Sequence, residues 1–338
     1  MKTWQLPRFG VDALTLVDQP APQPGPHDVL VRWRAFSVNY RDLVLVQGSY
    51  LPNLPFPYVP LSDGAGEIVA VGADVTNWKI GDRVAGHYIQ SWLAGAATPE
   101  NLRRSLASHL APGLAAECSA LPADGIVRLP AHLSFEEAAT LPIAGVTAWN
   151  ALFGRRDLRP GDWVVFEGTG GVSLFGLQLA HAAGFRAIIT SSSDDKLARA
   201  TALGAEATIN YRTVPDWSRR VRAITGGRGA ALVLEVGGPA SFPEALRSVA
   251  LGGRIAIVGF LSGHDLPVNV LDLIGNLTTV HGLRVGSRAD FEALNRALER
   301  DRIRPVVDRV FEFAELPAAF ARLGRGEHFG KIVVRGAP

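Results

Sequence analysis

Three glycines, Gly168, Gly170 and Gly171, punctuate the segment WVVFEGTGGVSLFGLQLAHAAGFRAIITSSS, which runs from Trp163 to Ser193. Thr169 lies within the turn they make and Val172 follows it. Glycine at such a turn removes the side chain that would keep a pyrophosphate away from the backbone. The first N–H groups of the helix that follows would then point at the phosphate oxygens, where the positive end of the helix dipole also favours them. The third glycine of the usual fingerprint is absent, because Ser173 stands there; a serine is small enough for close helix–strand contact. The chemistry on offer is dinucleotide binding. The competing reading is a plain βαβ core with a tight turn.

The flanking elements decide in favour of the first reading. Trp163 to Phe166 is an apolar run of buried-strand length. Val172, Phe175, Leu179 and Ala182/Ala183 recur at three- and four-residue steps, and Gly184 stands where a left-handed cap ends a helix. Ala187 to Thr190 supplies a second, parallel strand, completing a βαβ unit. Beyond it the pattern predicts helices over 195–203, 217–225 and 242–250. Strands are predicted over 207–209, 232–236, 254–258 and 278–282. Alternation of this kind defines a doubly wound parallel sheet, the Rossmann α/β arrangement. Upstream, Ser134 with Glu137 reads as a capping box, and another helix starts near Thr147.

Residues 1 to about 125 read instead as short strands with proline and glycine punctuation, including Ala13–Val17, Val29–Ala35 and Gly66–Val71, which suggests a small, partly closed barrel. The stretch Gln90 to Leu114 shows no period and is expected to be a long surface loop or lid. After Arg288 come one more helix and two strands, 306–311 and 331–334, expected to return to the first domain.

Composition sets the surroundings. A chain of 338 residues, 47% hydrophobic and 20% charged, is an ordinary two-domain globular protein. No apolar run reaches bilayer length, and the opening MKTWQLPRFG lacks a signal-type segment, so a cytoplasmic setting is expected, with no membrane partner. A net charge of +2 gives no reason to expect nucleic acid. Cys118 is the one cysteine, which excludes an internal disulfide and a cysteine-built zinc cluster.

Taken with SVNYRDL (Ser37–Leu43), VQGSY (Val46–Tyr50), LSDGAGEIVAVG (Leu61–Gly72), GDRV (Gly81–Val84), LPIAGVTAW (Leu141–Trp149) and the closing GKIVV, the chain resembles the medium-chain dehydrogenase/reductase superfamily in its zinc-free quinone oxidoreductase and enoyl reductase branch. The resemblance covers nearly the whole chain. It implies a GroES-like β-barrel catalytic domain over 1–130, completed by 286–338, a Rossmann NAD(P)-binding domain over 131–285, and an active-site cleft between them. It also implies a homodimer or homotetramer. Zinc-dependent relatives carry cysteine at the position of Asn39 and a His-Glu pair at Ser62-Asp63. Asn39 and Ser62 cannot supply the thiolate and imidazole such a site needs, so no metal is expected.

Cofactor choice turns on the end of the second strand, where an acidic residue would bind the ribose hydroxyls of NAD. Aligned through KLARATALGA, that place holds Ser191. Ser191, Ser192 and Lys196 suit a 2′-phosphate, and Tyr211 with Arg212 matches the region that contacts it in the NADPH-using relatives this chain resembles, so NADPH is expected ahead of NADH. The alternative is that the serines cap the next helix and the cations are solvated. Asp194 and Asp195 stand close enough in sequence to reach the ribose after a loop shift. The resemblance further places Thr147, Gly237, Val258, Gly259, Phe260 and Lys331 around the cofactor. It also puts Asn39 and Tyr50 beside the nicotinamide, with Tyr40 as a second phenol. A small-molecule acceptor already electron-poor, a quinone or an α,β-unsaturated carbonyl or enoyl group, would need no Lewis acid. Hydrogen-bond donors would then stabilise the oxyanion. A zinc-free alcohol or aldehyde oxidoreductase, or a non-catalytic NADPH-binding sensor, are the alternatives.

Overall fold

The computed structural model describes residues 1–337. They divide into two compact units, one comprising Met1–Val146 and the chain from Gly286 onward, the other Thr147–Val285. The boundary therefore falls at Val146 and not at residue 130. Residues 131–146 are held to the first unit by their own contacts. The Arg83 guanidinium donates to the Leu133 carbonyl at 2.7 Å and lies 4.5 Å from the Phe135 ring centre. Arg304 pairs with Glu137, and Arg335 with Glu136. The helix Phe135–Ala138 opens on the expected capping box, with Ser134 Oγ accepting from the Glu137 amide and the Glu137 side chain accepting from the Ser134 amide.

The first unit is built on a seven-stranded sheet in the order Val307–Phe311, Lys331–Arg335, Asp28–Val38, Asp63–Val71, Arg83–Gly86, Ile126–Arg128, with Cys118–Pro122 also paired to Asp28–Val38. All the pairings are antiparallel except that of the first two strands. Two register shifts along Asp28–Val38 bend that long strand. The chain's return at its C-terminal end is structural: Ile332 to Arg335 pair directly with Val38 to Ala35.

The second unit is a six-stranded, all-parallel sheet in the order Ala207–Asn210, Arg186–Ser191, Trp163–Phe166, Ala230–Glu235, Val249–Ile257, Thr279–Gly282. In chain order within the unit this is 3-2-1-4-5-6, the doubly wound arrangement, with its reversal between Trp163–Phe166 and Ala230–Glu235. The central strands Arg186–Ser191, Trp163–Phe166 and Ala230–Glu235 are buried and read as continuous apolar runs, and Trp163, Val165, Ile188, Val233 and Ile255 share one core. The helix Gly171–Ala182 ends as expected: Gly184 has φ +75° and the Phe185 amide reaches back to Ala180 O at 2.9 Å.

Three helices depart from the sequence expectation: Tyr40–Val46, Val270–Asn276 and Leu316–Gly324. The stretch 90–114 contains neither helix nor strand, yet it is not loose. Its Leu106 and Leu114 amides bond Tyr88 O and Leu61 O, Trp92 O accepts from the Arg288 amide, and Leu106, Ala107 and Leu114 are buried. No helix among the described residues is long and apolar enough to cross a membrane.

Candidate active site

In the second unit the glycine turn has the shape its residues demand. Gly168 takes φ +71°, a left-handed backbone that favours glycine, and nothing lies within 4 Å of where its Cβ would stand, which leaves the turn open on that side. Gly170 is the N-cap of the helix Gly171–Ala182 and no side chain caps it. The first amides of that helix, including Gly171 and Val172, therefore have no intrahelical acceptor. Thr169 is buried within the turn. The close helix–strand approach is made at Gly176 and not at Ser173, because a Cβ on Gly176 would stand 2.4 Å from the Phe166 ring. Ser173 instead fastens the turn, its hydroxyl donating to Glu167 O at 2.6 Å. These features fit a dinucleotide pyrophosphate.

At the end of the second strand Ser191 is buried and its Oγ accepts from the Ser193 amide at 3.4 Å. Ser192 and Lys196 are half-buried beside it, and Ser193 Oγ caps the helix Asp194–Ala202 by accepting from the Lys196 amide. The Tyr211 amide donates to Ser191 O at 3.0 Å while its ring is exposed. Asp194 is tied by the Asn210 amide at 2.7 Å. The polar group at the strand end is thus a serine, and the nearer aspartate is engaged elsewhere.

Gly237 and the stretch Val258–Phe260 follow the ends of the fourth and fifth strands, and Thr147 is buried in the first turn of the helix Val146–Phe153. The amides here are already engaged: Val258 and Gly259 donate to Glu235 O, and Gly237 donates to Glu167 Oε2 at 3.2 Å. The residues the sequence reading missed in this unit are Glu167, Glu235 and Ser241. Their signal was available, since a carboxylate ends each of the apolar runs WVVFE and LVLE.

In the first unit Asn39 caps the helix Tyr40–Val46, its backbone amide donating to Asp42 Oδ2 at 3.0 Å. Its side chain is buried: Nδ2 donates to Asp63 Oδ2 at 2.8 Å, and Oδ1 accepts from the Lys331 ammonium at 2.5 Å. Lys331 also donates to Val38 O at 2.9 Å and lies 3.9 Å from Asp63 Oδ2. Its ammonium is thus bonded within this unit. Burial pushes the Asp63 carboxyl up to about 7, with Lys331 and the Asn39 amide opposing. Burial pulls Lys331 down, against the pull of Asp63 and Asp42. A second branch runs from Asp42 Oδ1 to the Ser62 hydroxyl at 2.6 Å, and from Ser62 to Arg41 at 2.8 Å. The Arg41 guanidinium then stands 5.9 Å from the Tyr50 ring and 5.1 Å from the Tyr88 ring. Tyr50 itself is 44% exposed, and Tyr40 is half-buried in the first turn of the helix. Arg41 and Asp42 were missed, although Asn39 followed three residues later by Asp42 is a capping signal.

This fold and its open glycine turn define a two-unit nucleotide-dependent oxidoreductase. Family models described as "Alcohol dehydrogenase GroES-like domain" and "Zinc-binding dehydrogenase" match residues 25–131 and 171–300. A zinc-type alcohol dehydrogenase-like protein of Schizosaccharomyces pombe is 40% identical over 333 residues, covering 96% of each chain. A quinone oxidoreductase of Pseudomonas aeruginosa is 32% identical over 339 residues, again covering 96% of each. A solved NAD-dependent alcohol dehydrogenase superposes with TM-score 0.91 at 34% identity, covering 100% of both chains. The chain belongs to the medium-chain dehydrogenase/reductase superfamily and is an NAD(P)-dependent oxidoreductase. Asn39, Ser62 and Asp63 offer neither thiolate nor imidazole, an ammonium already stands among them, and no cluster of His, Cys, Asp or Glu among the described residues could hold a metal.

Proposed function

We propose that this protein is a zinc-independent, NADPH-preferring reductase of quinones or α,β-unsaturated carbonyl compounds. One observation carries the reading: the buried Asn39 side chain, at the position of a zinc relative's cysteine, is bonded on one side to Lys331 and on the other to Asp63. A site with that filling offers no Lewis acid, so it suits acceptors that are electron-poor without one. When bound, NADPH supplies a hydride equivalent to such an acceptor. The chain's own residues bind and orient. The amides at Gly170–Val172 would take the pyrophosphate, while Ser191, Ser192 and Lys196 would take the 2′-phosphate, with Tyr211 beside them. Tyr50, exposed and backed by Arg41, is the proposed donor to the developing oxyanion. A phenol hydroxyl can donate a hydrogen bond to such an oxygen. Tyr40, the first residue of the helix Tyr40–Val46, is the second phenol.

The relatives' names favour a second reading, alcohol or aldehyde dehydrogenase. The test is cofactor oxidation with a quinone, an enone, an enoyl thioester and an aldehyde, each with NADPH and with NADH, in the presence of chelator. Turnover of the first three with NADPH supports the proposal. Turnover of the aldehyde alone supports the alternative. Tight NADPH binding without turnover supports a sensor. We also propose a homo-oligomer, resting on the open edge strand Thr279–Gly282 and the helix Val270–Asn276, which buries none of its residues.

A further inference from the structure

Two carboxyl groups stand at the carboxyl ends of the two strands between which the sheet order reverses. Glu167 directly follows Trp163–Phe166, and Glu235 ends Ala230–Glu235; both are almost wholly buried. Ligands of doubly wound sheets bind in the crevice outside this reversal. Ser241 joins the pair, its Oγ lying 2.6 Å from Glu235 Oε1 and 3.1 Å from Glu167 Oε2. A hydroxyl has one hydrogen and can serve only one of those oxygens. The other contact closes if a carboxyl proton is donated back to Oγ. Glu167 Oε1 and Glu235 Oε2 are buried with no hydrogen-bond partner. Two ionised carboxylates so close in a dry site would repel strongly; a single proton between them removes most of that cost.

The remaining contacts all go to one turn. Glu167 Oε2 accepts from the amides of Val236 and Gly237, and Glu235 Oε1 accepts from the amide of Gly238. A Cβ on Gly237 would lie 2.2 Å from Ser241 Oγ and 3.4 Å from Glu167 Oε2, so the turn is packed against the pair. We propose that Glu167 and Glu235 share one proton and are positioning residues, holding the turn 236–241 in the shape that receives the dinucleotide. This rests on the dinucleotide reading above. Loss of the proton leaves two charges in contact and drives the turn out of place, so cofactor affinity falls as pH rises. From the neighbouring strand Glu167 faces Glu235, from the turn two amides, and from the next helix's cap the Ser241 hydroxyl; of these only Glu235 can carry charge. Burial, with Glu235 adding to it, holds Glu167 well above the usual carboxyl range.

The test is the dissociation constant for NADPH from pH 6 to 9.5 on the full-length protein, wild type against Glu167→Gln and Glu235→Gln. An amide carries a permanent donor and cannot lose it. Wild-type affinity should fall about tenfold or more relative to the variants as pH rises, while any pH dependence from elsewhere in the protein or from the nucleotide appears in all three and cancels. Parallel profiles would overturn the proposal. Melting temperature over the same range reads the shared proton without nucleotide. The folded state keeps a proton that the unfolded glutamates have lost, so wild-type stability should decline against the variants with rising pH. Equal melting profiles would remove the shared proton. A declining profile in protein that binds neither NADPH nor NADH would instead remove the dinucleotide reading.

Discussion

Asp63 is the residue on which the polar cluster of the first unit turns, since it faces both the Asn39 amide and the Lys331 ammonium. With its carboxyl pushed up to about 7 by burial, the folded state keeps a proton that the unfolded chain loses near pH 4. Stability from this group is therefore present at acid pH and lost as pH rises through the window from about 4 to about 7. His87 acts oppositely: burial pulls it down to about 4, so its contribution is lost as pH falls below about 6.5. Comparing wild type with Asp63→Asn by denaturant unfolding cancels the histidine. The variant should gain relative stability across that window, on the order of 2 kcal/mol. Lys331→Met, which leaves the carboxyl without its cation, should cost about 3 kcal/mol in the same assay. At the proposed reacting end, Tyr50→Phe should lower kcat by roughly a hundredfold with little change in NADPH affinity. Ser191→Asp should move the ratio of kcat/KM toward NADH. Asn39 and Tyr50 stand out in the sequence as candidates by type and motif. The partners of Asn39 do not, because it meets Asp63 from 24 residues away and Lys331 from 292 residues away, and no local pattern encodes such distances.

At the scale of elements, parallel strands buried on both faces announce themselves as apolar runs. The sheet of the second unit was accordingly legible strand by strand, including the glycine turn and the Gly184 cap. Short helices were not. Tyr40–Val46 has 7 residues, less than two full periods of an amphipathic face, and Val270–Asn276 buries none of its side chains. The domain boundary at 146 was hidden because residues 131–146 look helical like the unit that follows, and only the long-range pairings of Arg83, Arg304 and Arg335 assign them. Helix–strand packing gives a sharp test. In Gly176→Ala the new methyl meets the Phe166 ring at 2.4 Å, and overpacking of this kind costs about 1–3 kcal/mol. Because that helix presents the amides proposed to take the pyrophosphate, NADPH affinity should fall along with melting temperature. Unchanged affinity in a folded variant would detach the helix position from cofactor binding.

At the scale of the whole molecule, the exposed Leu271, Ile274 and Leu277 beside an open strand edge make an apolar surface unusual for a monomer. A Leu271→Asp/Ile274→Asp double variant should sediment as a monomer at concentrations where wild type is a dimer or tetramer; a monomeric wild type would contradict the assembly. The two units carry different halves of the proposed chemistry, nucleotide amides on one and the Asn39, Lys331 and Tyr50 group on the other. The central claim is that hydride passes to an electron-poor acceptor with no metal taking part. It is tested most directly by a single turnover of metal-stripped protein with NADPH deuterated at C4 and an α,β-unsaturated ketone. The account predicts deuterium at the β-carbon of the product, at a rate unaltered by added zinc. Transfer that requires zinc, or that goes only to the carbonyl carbon of an aldehyde, would contradict it.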